Sequence, residues 1–171
     1  MTFRIVAVAA GLGLLTATGL AGQAPGRGPA AMDSLLDRLV GRWTMTGTVR
    51  GRPAVYRLEA TRTLQRRFVE LHMLDVHRPP LYEARVFIGV DSAKAQYIAH
   101  WLDNTGAPYS IPPATGTAAA DTIKLDFPYP DGAFHDTFVY DRPADAWYFR
   151  LEAADSAGAW GLFAEYRVRR R

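Results

Sequence analysis

The chain has 171 residues, of which 49% are hydrophobic and 12% aromatic, with a net charge of +3 and no cysteine. That length sets one domain as the starting expectation. The missing cysteines exclude disulfide stapling and a lipid anchor carried on cysteine, so a packed core must supply the stability. The positive balance does not mark a nucleic-acid binder. Lys94 and Lys124 are the only lysines, and the arginines are dispersed along the chain except for Arg169, Arg170 and Arg171.

Residues 1–24 read as a secretory signal peptide. Arg4 supplies a minimal basic n-region, Ile5 to Leu20 is an uncharged run, and Gly19 with Ala21, or Gly22 with Ala24, fits a cleavage site. The alternative is an uncleaved anchor. An anchor asks for about 20 strongly apolar residues, and glycines and threonines dilute this run. The expectation is an exported chain, periplasmic or secreted, with no membrane span after cleavage. Residues 25–31, PGRGPAA, predict a disordered linker. One domain is then expected over 32–169.

Met32, Leu35, Leu36, Leu39 and Val40 recur at the spacing of an amphipathic helix. Asp33 and Ser34 are candidate caps for its start, and Gly41 for its end. At Gly41 the period changes to two. Trp43, Met45, Gly47 and Val49 share one face, while Arg42, Thr44, Thr46 and Arg50 share the other, which predicts a half-buried strand.

Turn signals then punctuate the chain at Gly51-Arg52-Pro53, Gln65-Arg66, Pro79-Pro80, Asp91 to Ala95, Asn104-Thr105-Gly106, Pro128 to Gly132, Asp141-Arg142-Pro143 and Ala153 to Gly158. Between them lie alternating segments. Examples are Phe134, Asp136, Phe138, Tyr140 and the closing Trp160, Leu162, Ala164, Tyr166, Val168. The segment Ala107 to Ala114, with Pro108, Pro112 and Pro113, predicts a short edge strand or a loop across a barrel mouth, a candidate mobile lid. About ten strands at even spacing, with no helical crossover, predict an all-β antiparallel meander rather than a parallel α/β sheet. A meander of this length closes on itself, because closure removes the edges. The expected fold is an up-and-down barrel of about eight to ten strands with a short N-terminal helix plugging one end.

Four pieces carry a resemblance: Leu39 to Trp43, the hairpin Ile88 to Tyr97, His100 to Gly106, and Phe163 to Arg169. In this order and spacing they resemble the bacterial lipocalin-like domains of unknown function in the calycin superfamily, over almost all of the chain past the signal. The resemblance implies a closed or nearly closed barrel that is frequently exported, and no established reaction. In lipocalins the tryptophan of Gly-x-Trp seals the closed end, and an arginine on the last strand packs over it. Gly41 and Trp43 match the first role. Arg167, or Arg169, is the expected match for the second, as a cation–π contact. Arg167 shares a face with Phe163 and Glu165, opposite Leu162, Ala164 and Tyr166. The arginine role therefore holds only if that face lines the interior.

No catalytic constellation emerges. There is no Gly-x-Ser-x-Gly elbow and no Gly-rich loop leading into a helix. Glu70, Asp103, Asp136 and Glu165 are available as paired carboxylates, but their spacing does not show convergence. His72, Asp75 and His77 form the one cluster with ligand-like spacing. On a strand His72 faces away from the other two, so no metal site is expected. Haem is not expected either. In the haem-binding barrel relatives of the nitrobindin type a histidine near the end of the barrel sequence is the axial ligand, and no histidine follows Trp147; His100 and His135 are the remaining substitutes.

Most strand aromatics are expected to pack the core. Some are expected to line a cavity with a few polar handles, and Tyr56, Tyr97, His100, Trp101, Phe138 and Arg150 are the candidate ligand-binding set. The leading expectation is a barrel that binds a small apolar or amphipathic molecule without chemistry. A filled barrel acting as an interaction module is the alternative, and a haem-binding or enzymatic barrel the third.

Overall fold

The computed structural model describes residues 28–130 and 132–171. The signal peptide expected over 1–24 and the first part of the linker lie outside the described residues.

Helix α1 (Pro29–Asp37) opens the described chain. Ten strands follow: β1 (Gly41–Val49), β2 (Arg52–Thr63), β3 (Phe68–Asp75), β4 (Glu83–Asp91), β5 (Gln96–Asp103), β6 (Ala114–Ala119), β7 (Thr122–Phe127), β8 (Phe134–Asp141), β9 (Ala146–Ala154) and β10 (Trp160–Arg170). Each strand pairs antiparallel with its neighbour in sequence, and β1 pairs with β10 from Trp43↔Arg170 to Val49↔Ala164. The result is a closed up-and-down barrel of ten strands with one short helix, as the alternation and turn spacing predict. No described helix is long and apolar enough to cross a membrane.

The helix starts three residues earlier than expected. Pro29 occupies its first turn, where the missing N–H of proline costs nothing. Residues 29–31 therefore belong to the helix rather than to a linker. Asp33 and Ser34 do not cap it. Asp33 and Asp37 instead receive the guanidinium of Arg62 from β2, at 2.9 and 2.8 Å. Met32, Leu35, Leu36 and Leu39 are buried beneath the helix against the barrel. Three side-chain donors from the barrel wall hold carbonyls of the helix and of the two residues that follow it. Tyr97 Oη donates to Met32 O at 2.9 Å, Trp147 Nε1 to Arg38 O at 3.3 Å and Trp43 Nε1 to Leu39 O at 2.6 Å. Arg38 is the C-terminal cap of the helix, so the Trp147 bond satisfies a carbonyl that the helix end leaves without a partner, while Tyr97 bonds a carbonyl within the helix.

The helix thus plugs the end where β1 begins and β10 finishes. Trp43 is fully buried there. The arginine over it is Arg170, not Arg167. The Arg170 guanidinium carbon lies 3.9 Å from the Trp43 ring centre, and its Nη1 donates to Val40 O at 2.9 Å. Arg167 points outward and lies over the Tyr148 ring at 5.2 Å. The reason is strand parity. Ala164, Tyr166 and Val168 face in, so the next inward position is Arg170. Gly41 makes the arrangement possible. Its φ is +143°, and a Cβ there would sit 2.0 Å from Arg170 Nη1.

One further parity departs from the expectation. A bulge between Leu162 and Ala164 inserts Phe163 into β10. Trp160 and Leu162 are thereby turned out, 45% and 47% exposed, although simple alternation groups them with Tyr166 and Val168.

Candidate functional site

The end opposite the helix is open. Around it lie the β1–β2 turn, the loops 76–82 and 104–113, residues 128–130 and 132–133, and the β9–β10 turn. The lower half of the interior is filled by Trp43, Trp147, Leu71 and Ile88, all buried. The upper half holds a cavity of about 630 Å³. A second depression of about 650 Å³, on the rim between Val55 and His77, shares Val49, Arg50 and Tyr56 with it.

The cavity wall is built from inward positions of the strands. Met45 comes from β1, Tyr56 from β2, Met73 from β3, Trp101 and Asp103 from β5, Phe127 from β7, Phe134 and Asp136 from β8, Phe149 and Leu151 from β9, Phe163 and Tyr166 from β10. Loop residues Tyr82, Tyr109 and Tyr129 complete it. The rings pack edge to face around the wall: Tyr56 against Tyr82 at 5.8 Å and against Tyr166 at 5.6 Å, and Trp101 against Phe127 at 6.1 Å.

The polar groups fall into two kinds. Asp103 is well partnered. It accepts from Tyr82 Oη at 3.0 Å, Trp101 Nε1 at 3.2 Å and the Thr105 amide at 2.9 Å. Burial raises the pKa of the Tyr82 hydroxyl, and the Asp103 charge adds to the rise. Asp136 is the opposite case. It is only 2% exposed, and its Oδ1 has no hydrogen-bond partner. Burial pushes its carboxyl well above the ordinary value, with repulsion from Asp126 adding to it. The Tyr129 hydroxyl is also buried without a partner. Its pKa is raised by burial, then by Asp136 and Asp103.

Asp75 shapes the rim. It ends β3 and accepts from the amides of His77, Leu81 and Tyr82 at 3.0–3.1 Å. Burial favours its neutral form, but the amide bonds from Leu81 and His77 outweigh this and lower its pKa. The bonds fix the 76–82 loop and so place Tyr82. The segment 107–114 is a 3-10 turn, Ala107–Tyr109, leading into β6. Tyr109 reaches the cavity from it and packs on Tyr129 at 6.3 Å.

Of the six residues expected to bind ligand, Tyr56 and Trp101 line the cavity. Phe138 lies one layer below, stacked 3.9 Å from the lining residue Phe149. Tyr97 is fully buried at the closed end beneath the helix. His100 and Arg150 do not reach the cavity. Trp101 takes the inward position beside His100, and Phe149 and Leu151 take those beside Arg150. Arg150 pairs with Glu152 at 2.8 Å. The sequence reading missed Tyr82, Phe127, Tyr129, Phe134, Tyr166 and, as a cavity group, Asp136. The alternation of Phe134, Asp136, Phe138 and Tyr140 was the available signal for the last.

The histidines lie away from the cavity. His72 Nε2 meets Glu83 at 2.7 Å, His77 Nδ1 meets Asp75 at 3.3 Å, and His135 stacks on Trp160 at 3.6 Å. Among the described residues no three His, Asp or Glu side chains are grouped to hold a metal ion. In comparisons with known proteins, no family model and no curated protein matches the chain.

Proposed function

We propose that this protein is a binding barrel that takes one small apolar or amphipathic molecule into its open half. The observation that carries this is the cavity of about 630 Å³ with a mainly aromatic and aliphatic wall, inside a barrel closed at its other end. Small-molecule sites fall between about 300 and 1,000 Å³ and combine an apolar lining with a few polar groups. The empty upper half weighs against a filled barrel serving only as an interaction module. We further propose a place beside the calycin barrels. The Gly41–Trp43 opening, the helix plug and an arginine of the last strand over the indole support it. The signal-like residues 1–24 support export to the periplasm or beyond.

Native mass spectrometry of protein purified from its source tests the binding reading, together with melting in the presence of a lipid and haem panel. A bound ligand at a hundredfold excess over Kd adds about 2.7 kcal/mol of stability. The expected result is an added small-molecule mass, or a clear rise in Tm with at least one apolar compound. No added mass and no shift across the panel contradicts it.

A further inference from the structure

We propose that the cavity selects an organic ammonium cation, with the charged head on the Asp136 carboxylate and the apolar body against the aromatic wall. The inference rests on the binding reading above and names the chemical class of the ligand.

Three observations carry it. First, Asp136 is a nearly fully buried acid that lines the cavity with Oδ1 unpaired. A carboxyl in that position is costly unless something partners it. Its register neighbours, Leu125 on β7 and Leu151 on β9, offer only apolar side chains. The flanking strands supply no partner, and the cavity that Asp136 lines is the side from which a ligand can approach it. Second, the charge of the lining is one-sided. Among the described residues two acids, Asp103 and Asp136, line it, while the only basic side chain is Arg50. Arg50 is exposed at the mouth, where its guanidinium lies 5.0 Å over the Phe163 ring. An anionic head would find no basic partner among the described inner lining residues. Third, the wall presents aromatic rings around Asp136, among them Phe134, Phe149 and Tyr166. Ring faces attract a desolvated cation, and rings with one buried acid neutralise an ammonium group that neither would hold alone. Tyr129, whose hydroxyl is also unpartnered, supplies a neutral acceptor for a second N–H of the head.

Calorimetric titration of the full chain with decylamine, 1-decanol and decanoate tests this, because the three probes share one alkyl chain and differ in the head. Decylamine is expected to bind about tenfold more tightly than decanol, as a charge-assisted hydrogen bond implies, and decanoate most weakly. In Asp136→Asn the amine is expected to lose that advantage while decanol binding persists. Decanol or decanoate binding the unsubstituted protein as tightly as decylamine overturns the inference, as does an amine preference that survives Asp136→Asn. Absence of binding by all three overturns the cavity reading itself, and this inference with it.

Discussion

Arg170 and Trp43 face each other across the β1–β10 seam, and the guanidinium carbon lies 3.9 Å from the indole ring centre. The same guanidinium bonds Val40 O at 2.9 Å and Asp145 at 3.0 Å, so one side chain ties the last strand to the helix–strand junction and to the β8–β9 turn. The Arg170 and Tyr140 hydrogen bonds in turn lower the pKa of Asp145. Arg170→Ala is expected to destabilise the protein by about 1–3 kcal/mol, the sum of a cation–π contact and one or two hydrogen bonds. Arg167→Ala, three residues earlier and facing outward, is expected to change stability by about 0.5 kcal/mol or less. Urea denaturation of the two variants checks the contrast, and equal losses would return the seam role to Arg167.

The helix plug depends on Arg62. Its side chain is 6% exposed, while its partners Asp33 and Asp37 are about half exposed. Arg62 also donates to Asp33 O at 2.9 Å. Arg62→Met keeps the apolar stem and removes the bonds to the helix. The expected cost is about 1–3 kcal/mol, with amide exchange in residues 32–37 accelerated more than in β8 or β9. Uniform acceleration across the barrel would mean that the helix does not unfasten on its own.

Asp136 makes stability depend on pH in a direction opposite to that of most carboxylates. Its folded pKa stands well above the ordinary 3.8. Between those two values the unfolded chain binds fewer protons than the folded one, so the contribution of this group declines as pH rises, by about 1.4 kcal/mol per pH unit within that window. Asp136→Asn cannot ionise. Its stability relative to the parent is expected to increase from pH 4 upward and to level off once the folded carboxyl ionises. A difference that stays flat from pH 4 to pH 8 contradicts the burial of an unpaired acid.

Strand parity explains both what the sequence made legible and what it did not. Ten strands, their order and the helix plug follow from alternation, turn residues and the change of period at Gly41. The choice of His100 and Arg150 as polar handles broke the same alternation, since Trp101 and Phe149 take the inward positions next to them. The seam arginine lies beyond the alternating segment Trp160 to Val168, because the last strand continues to Arg170, one inward position further. Tyr97 and Trp101 share the inward face of β5 but lie at opposite depths, one under the helix and one in the cavity. Depth depends on how each strand tilts and pairs, which local pattern does not encode. The bulge at Phe163 was equally hidden, because nothing in Trp160 to Val168 interrupts the alternation.

The four methionines of the chain offer the most direct test of an open, ligand-sized upper half. Met45 and Met73 line the cavity, whereas Met32 is buried under the helix at the closed end. With methyl-labelled methionine, titration with decylamine or 1-decanol is expected to move the Met45 and Met73 resonances together and to leave Met32 in place. Shifts confined to Met32, or none at Met45 and Met73 while the ligand demonstrably binds, would put the ligand outside the barrel mouth and contradict the assignment.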